Sequence, residues 1–175
     1  GNGLSAANHH EDALVVQEAE LSMRRRLGAP EQAILSAQNN LANTYELTGR
    51  LEECLSLRRE VYSGRLKLGG EDDGSTLLAA NNYSASLVTL ERFKEARSML
   101  RKMIPMARRA LGEDDITTLR MRMNYGQALY KDNGATIDDL REAVTTLEET
   151  ERIARRVFGG AHPLTSTIED DLQTV

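Results

Sequence analysis

The stretch Asn39-Asn40-Leu41-Ala42-Asn43-Thr44-Tyr45-Glu46-Leu47-Thr48-Gly49-Arg50-Leu51-Glu52-Glu53-Cys54 decides the fold. Leu41, Ala42 and Tyr45, with Leu35 upstream, fall at the three- and four-residue steps of one helical face. Gly49 follows as a residue that tolerates positive φ and so ends a helix. Leu51, Cys54, Leu55, Leu57, Val61 and Tyr62 then mark a second amphipathic run, closed by Leu68-Gly69-Gly70. The segment reads as helix, tight turn, helix.

Working outward, the same unit returns 42 residues later. Glu71-Asp72-Asp73 recurs as Glu113-Asp114-Asp115, and Thr76-Leu77 as Thr118-Leu119. Leu35 pairs with Leu77, Arg50 with Arg92, and Glu53 with Glu95. Asn40, Asn82 and Asn124 keep the same register twice over. The second unit predicts helices over 77–90 and 93–111. The third predicts helices over 118–131 and 136–158, with about five extra residues around Asp132-Asn133-Gly134. In the second unit Glu91 stands where the first has the turn glycine. Alternation of apolar and polar residues, the mark of a half-buried strand, is absent over any useful length.

The ends fall inside repeats. Residues 1–8 read as the tail of a first helix and His10 to Leu27 as its second, while His162-Pro163 opens a new first helix. The expected organisation is a single array, with a partial repeat at 1–28, repeats at 29–70, 71–112 and 113–160, and a partial repeat at 161–175. The fold class is all-α, a right-handed solenoid of helix-turn-helix units with about seven or eight helices, each hairpin burying its apolar face on its neighbours. Pro105 falls inside a predicted helix, and its missing amide and ring clash predict a bend or break within 102–107.

Composition narrows the function. With 22 Lys and Arg against 27 Asp and Glu, the 175-residue chain carries a formal charge of -5. This is not the basic footprint of a nucleic-acid binder, nor of a protein drawn to an anionic membrane surface. No run approaches the 18 apolar residues of a membrane span. One cysteine, Cys54, fits a reducing compartment, and a cytoplasmic location is expected. Cys54 sits at a packing position and reads as a buried thiol. Three scattered histidines lack zinc-site spacing. His9 and His10 read as solvated turn residues and His162 as a helix cap. The Glu-Asp-Asp clusters lie at helix starts, where acids cap free amides and complement the dipole. Arg24-Arg25-Arg26, Arg108-Arg109 and Arg155-Arg156 lie in last turns, where cations belong, although together they could form a stripe for an acidic partner. Neither a glycine-rich phosphate loop nor a nucleophile with a base is present. No catalytic residue, metal or cofactor is expected.

Asn40-Leu41-Ala42, Tyr45, Gly49, Leu51 and Cys54 together resemble the tetratricopeptide repeat. Small residues recur in pairs at Ala42 and Cys54, Ser84 and Ala96, and Gly126 and Ala143, where two helix backbones must approach closely. The usual period is about 34 residues. The longer period here, the Leu-Gly before each unit, Asn-Asn-Leu-Ala and His162-Pro163 resemble the kinesin light chain branch. HEAT and armadillo repeats have similar periods but lack this pairing.

The resemblance implies a non-catalytic module that binds an extended peptide or partner protein in a concave groove lined by first helices. On that implication the groove residues are Asn39, Asn40, Asn43, Asn81, Asn82, Asn124 and Gln127, with Arg120 and Lys131 adding positive charge at one end. An amide offers donors and an acceptor to a peptide backbone. The alternative is that the asparagines tie one repeat to the next. Two other functions stay open: a structural or self-assembling scaffold, and a targeting module of a larger protein. The terminal half-repeats are expected to support self-association, with Leu164, Ile168 and Leu172 providing contacts.

Overall fold

The computed structural model describes the backbone of residues 2–175 and the side chains of residues 11–175. The described residues form eight helices and no strand: α1 (Asn2–Arg26), α2 (Glu31–Leu47), α3 (Leu51–Gly69), α4 (Gly74–Thr89), α5 (Phe93–Ala110), α6 (Ile116–Tyr130), α7 (Ile137–Phe158) and α8 (Pro163–Thr174). They gather into two compact units, Gly1–Gly70 with α1 to α3 and Glu71–Val175 with α4 to α8. The boundary coincides with one of the repeat boundaries read from the sequence.

Four helix starts, those of α4, α6, α7 and α8, have a side-chain cap. The Asp73 carboxylate accepts the Thr76 amide at 2.9 Å, and Asp115 accepts the Thr117 amide at 2.7 Å. His162 caps α8 as expected, its Nδ1 accepting the Leu164 amide at 3.2 Å. Thr136 and Asp139 form a reciprocal capping box at the start of α7. The turn inside the first full hairpin places Gly49 at φ 75, and its counterpart Glu91 takes φ 57.

The small-residue pairs do what close packing requires. Ala42, Ser84, Ala96 and Ala143 are fully buried, Cys54 nearly so. At Gly126 an added Cβ would lie 2.7 Å from Cγ of Leu147, so the α6–α7 approach admits no side chain there. In the first unit the core is Leu14, Leu21, Leu41, Ala42, Tyr45 and Cys54. In the second, Leu119, Leu147, Ala154, Leu164 and Ile168 form a cluster that Leu172 and Val175 pack against.

Three expectations are corrected. The break near His10 does not occur, because α1 runs on from Asn2 and no Gly or Pro between Leu4 and Leu27 stops it. His9 and His10 therefore lie within a helix rather than in a turn, while their side chains, like Gly1, fall outside the described residues. The break at Pro105 is absent too. Helix α5 continues through it, with the ring on the exposed side, where water can serve the carbonyl that loses its donor. Finally, Leu164 and Ile168 are 5% and 0% exposed within their own unit, so they are not available for contacts between molecules. In repeat register Ser166 stands where Leu119 stands, and Gln173 where Gly126 stands. Helix α8 thus turns a polar outer face to solvent.

Candidate functional site

The first helices carry stripes in one repeat register. They are Ser36, Asn40, Asn43 and Leu47 along α2; Leu78, Asn82, Ala85 and Thr89 along α4; and Arg120, Asn124, Gln127 and Lys131 along α6 and its C-cap. Steps of four, three and four residues keep each stripe on one helical face. The stripes share a register but not an environment.

On α2 all four residues are exposed, and Asn39 beside them is half-buried. Arginines from α3 hold the flank. Arg65 donates to Ser36 Oγ at 3.0 Å, and the buried Arg58 donates to Asn43 Oδ1 at 3.3 Å while pairing with Glu46 at 2.7 Å. Asn40 leaves its amide toward solvent.

In the second unit the stripes of α4 and α6 lie side by side and are joined. Asn124 is 4% exposed, and its Nδ2 donates to Asn81 Oδ1 at 3.4 Å and Ser84 Oγ at 3.2 Å. Asn81, also 4% exposed, donates in turn to Asn82 Oδ1 at 3.3 Å. These amides satisfy one another across two first helices, as buried polar groups must. Gln127 is likewise engaged, donating to Asp171 Oδ2 at 2.7 Å. Leu78, Arg120 and Lys131 remain exposed, with the Lys131 ammonium 5.5 Å above the Tyr130 ring.

Asp171 is the functional-looking residue that sequence reading missed. The insertion in the third repeat lengthens the spacing to 47, which puts Asp171 in the register of Asn40, Asn82 and Asn124. Carrying that offset forward would have found it. It too reaches back to the preceding first helix, accepting Tyr130 Oη at 2.6 Å besides Gln127. Burial and this bond raise the Tyr130 hydroxyl above the ordinary tyrosine range. In the second unit the ladder position therefore ties α6 to α4 and α8 to α6.

The charged clusters are also engaged internally. Arg109 faces Asp72 at 3.9 Å, and Arg156 faces Asp114 at 2.7 Å, one pair per repeat at equivalent places. Arg108 pairs with Glu113 and Arg155 with Glu151 and Glu169. The insertion loop is held by Arg97, which bridges Asp132 at 3.0 Å and Asp139 at 3.1 Å. Among the described residues no group of three His, Cys, Asp or Glu side chains is arranged to hold a metal, and no helix is long and apolar enough to cross a membrane. Cys54 is buried.

Hairpins of two helices, closed by small residues and repeated in register, define the class of tetratricopeptide repeats. Residues 33–109 match the sequence model of the family described as Tetratricopeptide repeat. That segment carries repeats of this kind, and the fold is that of kinesin light chain-like repeat structures. The nearly identical TPR-like repeats attributed to kinesin light chain from Podosopora anserina superpose with a TM-score of 0.74 at 20% identity, covering 95% of this chain and 77% of that one. A point variant of that protein gives 0.77 with the same identity and coverage. BtubC (BKLC) from P. vanneervenii gives 0.78 at 16% identity, covering 97% of this chain and 66% of that one. No curated protein matches the chain in sequence at a significant level. Repeats of this family generally mediate protein–protein interaction, and the fold is typically a non-catalytic scaffold.

Proposed function

We propose that the chain is a recognition module in which each unit binds an extended segment of a partner protein along the exposed parts of its own first-helix stripes. The observation that carries this reading is the open run Ser36, Asn40, Asn43 and Leu47 on α2, polar except at its end and steadied by arginines of α3. The exposed amide of Asn40, and the amide of Asn43 that Arg58 orients, suit a peptide backbone, which offers a donor and an acceptor at every residue. Asn39 lines the edge of the same face. In the second unit Leu78, Asn82, Arg120 and Lys131 supply the contact surface, while Asn81, Asn124 and Gln127 support it from within. Arg120 and Lys131 favour acidic residues in the segment bound there, and such steering weakens with salt.

A peptide array read out with labelled protein, followed by fluorescence anisotropy on the strongest sequences, tests the proposal. Asn40→Ala with Asn43→Ala should weaken binding tenfold or more, and Arg120→Ala with Lys131→Ala should weaken acidic peptides selectively. Retention of affinity in both pairs of variants would place the binding surface elsewhere.

A further inference from the structure

The face of α2 opposite Ser36, Asn40 and Asn43 looks into a cleft of about 770 Å³ between α1 and α3, all of it within the first unit. Ile34 and Leu35 of α2 give the cleft an apolar floor, and Arg59, Ser63 and Lys67 of α3 form one wall. Arg25 of α1 crosses to Glu60 at 3.4 Å, and Glu60 also accepts the Gln38 amide at 2.5 Å. Leu147 and Ala154, through which α7 packs against α8, correspond in repeat register to Arg58 and Arg65. The side of α3 that serves a following first helix is therefore not the side that lines the cleft.

The later repeats supply the chemistry that this cleft lacks. Gly28, Gly70 and Gly112, all at positive φ, align the three repeat starts. In that alignment Pro30 stands with Asp72 and Asp114, and Lys67 with Arg109 and Arg156. Arg109 faces Asp72 at 3.9 Å and Arg156 faces Asp114 at 2.7 Å, so each later second helix meets an acid from the start of its own repeat. Pro30 removes that acid from the first repeat. Among the described residues neither Lys67 nor Arg59 forms an ion pair. Glu31 also lines the cleft, but it lies in the first turn of α2, where its charge complements the helix dipole, and it does not pair with Lys67. We infer that the cleft docks an acidic segment of a partner protein. Its carboxylate pairs with Lys67, in the place that Asp72 and Asp114 fill from within, and an adjoining apolar side chain lies on Ile34 and Leu35. Arg59 adds a second cation on the same wall. This site is separate from the Asn40 stripe and lies on the other face of the same helix.

A blocked peptide of alternating leucine and aspartate, titrated into the isotope-labelled whole chain and followed by NMR, tests this. The amides of Ser63 and Lys67 should shift and saturate, and the same peptide with asparagine for aspartate should bind at least tenfold more weakly. Pro30→Asp should supply the missing acid from within and weaken binding tenfold or more, as should Lys67→Ala. Aspartate is a favoured residue before a helix, so Pro30→Asp should keep its fold, which circular dichroism checks. Pro30→Asn changes the backbone in the same way without the charge, and it should bind like the wild type. Asn40→Ala with Asn43→Ala should leave this titration unchanged. Equal binding of the asparagine peptide, full affinity in Pro30→Asp, or no saturable shift on α3 would each overturn the inference. Shifts confined to residues 36–47 would overturn it too, while leaving the α2 stripe as the binding surface.

Discussion

Glu91 takes the place of Gly49 one repeat later and copies its left-handed backbone, at φ 57 against φ 75. A side chain in that region costs roughly 1–2 kcal/mol through contact of Cβ with the carbonyl. Its exposed carboxylate offers no compensating burial. Replacing Glu91 with Gly should therefore stabilise the protein by about 0.5–1 kcal/mol, after allowing for the greater freedom of glycine in the unfolded chain. Thermal and urea melts measure this directly. A lower melting temperature would mean that the Glu91 side chain holds its turn by a contact worth more than the strain.

Gly126 makes the opposite case. In an exposed helix interior, Gly→Ala gains about 1 kcal/mol. Here the new methyl would lie 2.7 Å from Cγ and 2.8 Å from Cδ2 of Leu147, a fully buried side chain with no free volume to move into. Gly126→Ala should destabilise by about 1–3 kcal/mol, as overpacking does. Pairing it with Leu147→Ala should recover part of the loss, because the clash is removed. If the single variant melted like the wild type, α6 and α7 would not be as close as the geometry gives.

The hairpins were legible in the sequence because their causes are local and repeated. Leu41, Ala42 and Tyr45 lie on one face, glycines end helices, and Asp73, Asp115 and His162 cap the next ones. Small residues recur where helices touch. The helix through Pro105 was not legible, since tolerance of a proline depends on which face meets solvent. The ladder was legible as a register but not as a chemistry. Identical asparagines at 40 and 124 differ in burial because a first helix covers one amide and not the other, which is a tertiary fact.

Tyr45 links α2 to α1 through its hydroxyl, which donates to Glu18 Oε1 at 2.7 Å, with the Arg50 guanidinium 4.4 Å from the ring centroid. Burial first, then the bond to Glu18, pushes the hydroxyl up to about 12. A group whose pKa is raised on folding stabilises the fold fully below its unfolded value and loses that contribution as pH rises through the folded one. The contribution should therefore be constant up to about pH 10, the unperturbed tyrosine value, and fade between there and about pH 12. Melts of wild type and Tyr45→Phe across this range check it. The gap in stability between them should narrow only at the alkaline end. A gap that changed near neutral pH would show that a different group controls the contact.

The ladder offers the sharpest internal comparison, because one substitution at one repeat position should give two results. Asn124→Ala removes the donor to Asn81 Oδ1 and Ser84 Oγ in a site that water does not reach. Each lost bond costs about 0.5–1.5 kcal/mol, and acceptors left buried without a donor add to it. The helix preference of Ala returns only a few tenths of a kcal/mol. A net loss of about 1–3 kcal/mol should follow, read as a lower denaturant midpoint with an unchanged slope. Asn40→Ala, on the open face of α2, loses only solvent contacts, so its stability should hold or rise slightly. Binding should respond the other way. Asn40→Ala should weaken peptide affinity at full fold, whereas Asn124→Ala should leave affinity per folded molecule near wild type. Equal losses of stability at the two positions would mean that the α2 face is covered in solution. A loss of affinity at Asn124 with stability intact would mean that α4 and α6 part to admit the ligand between them.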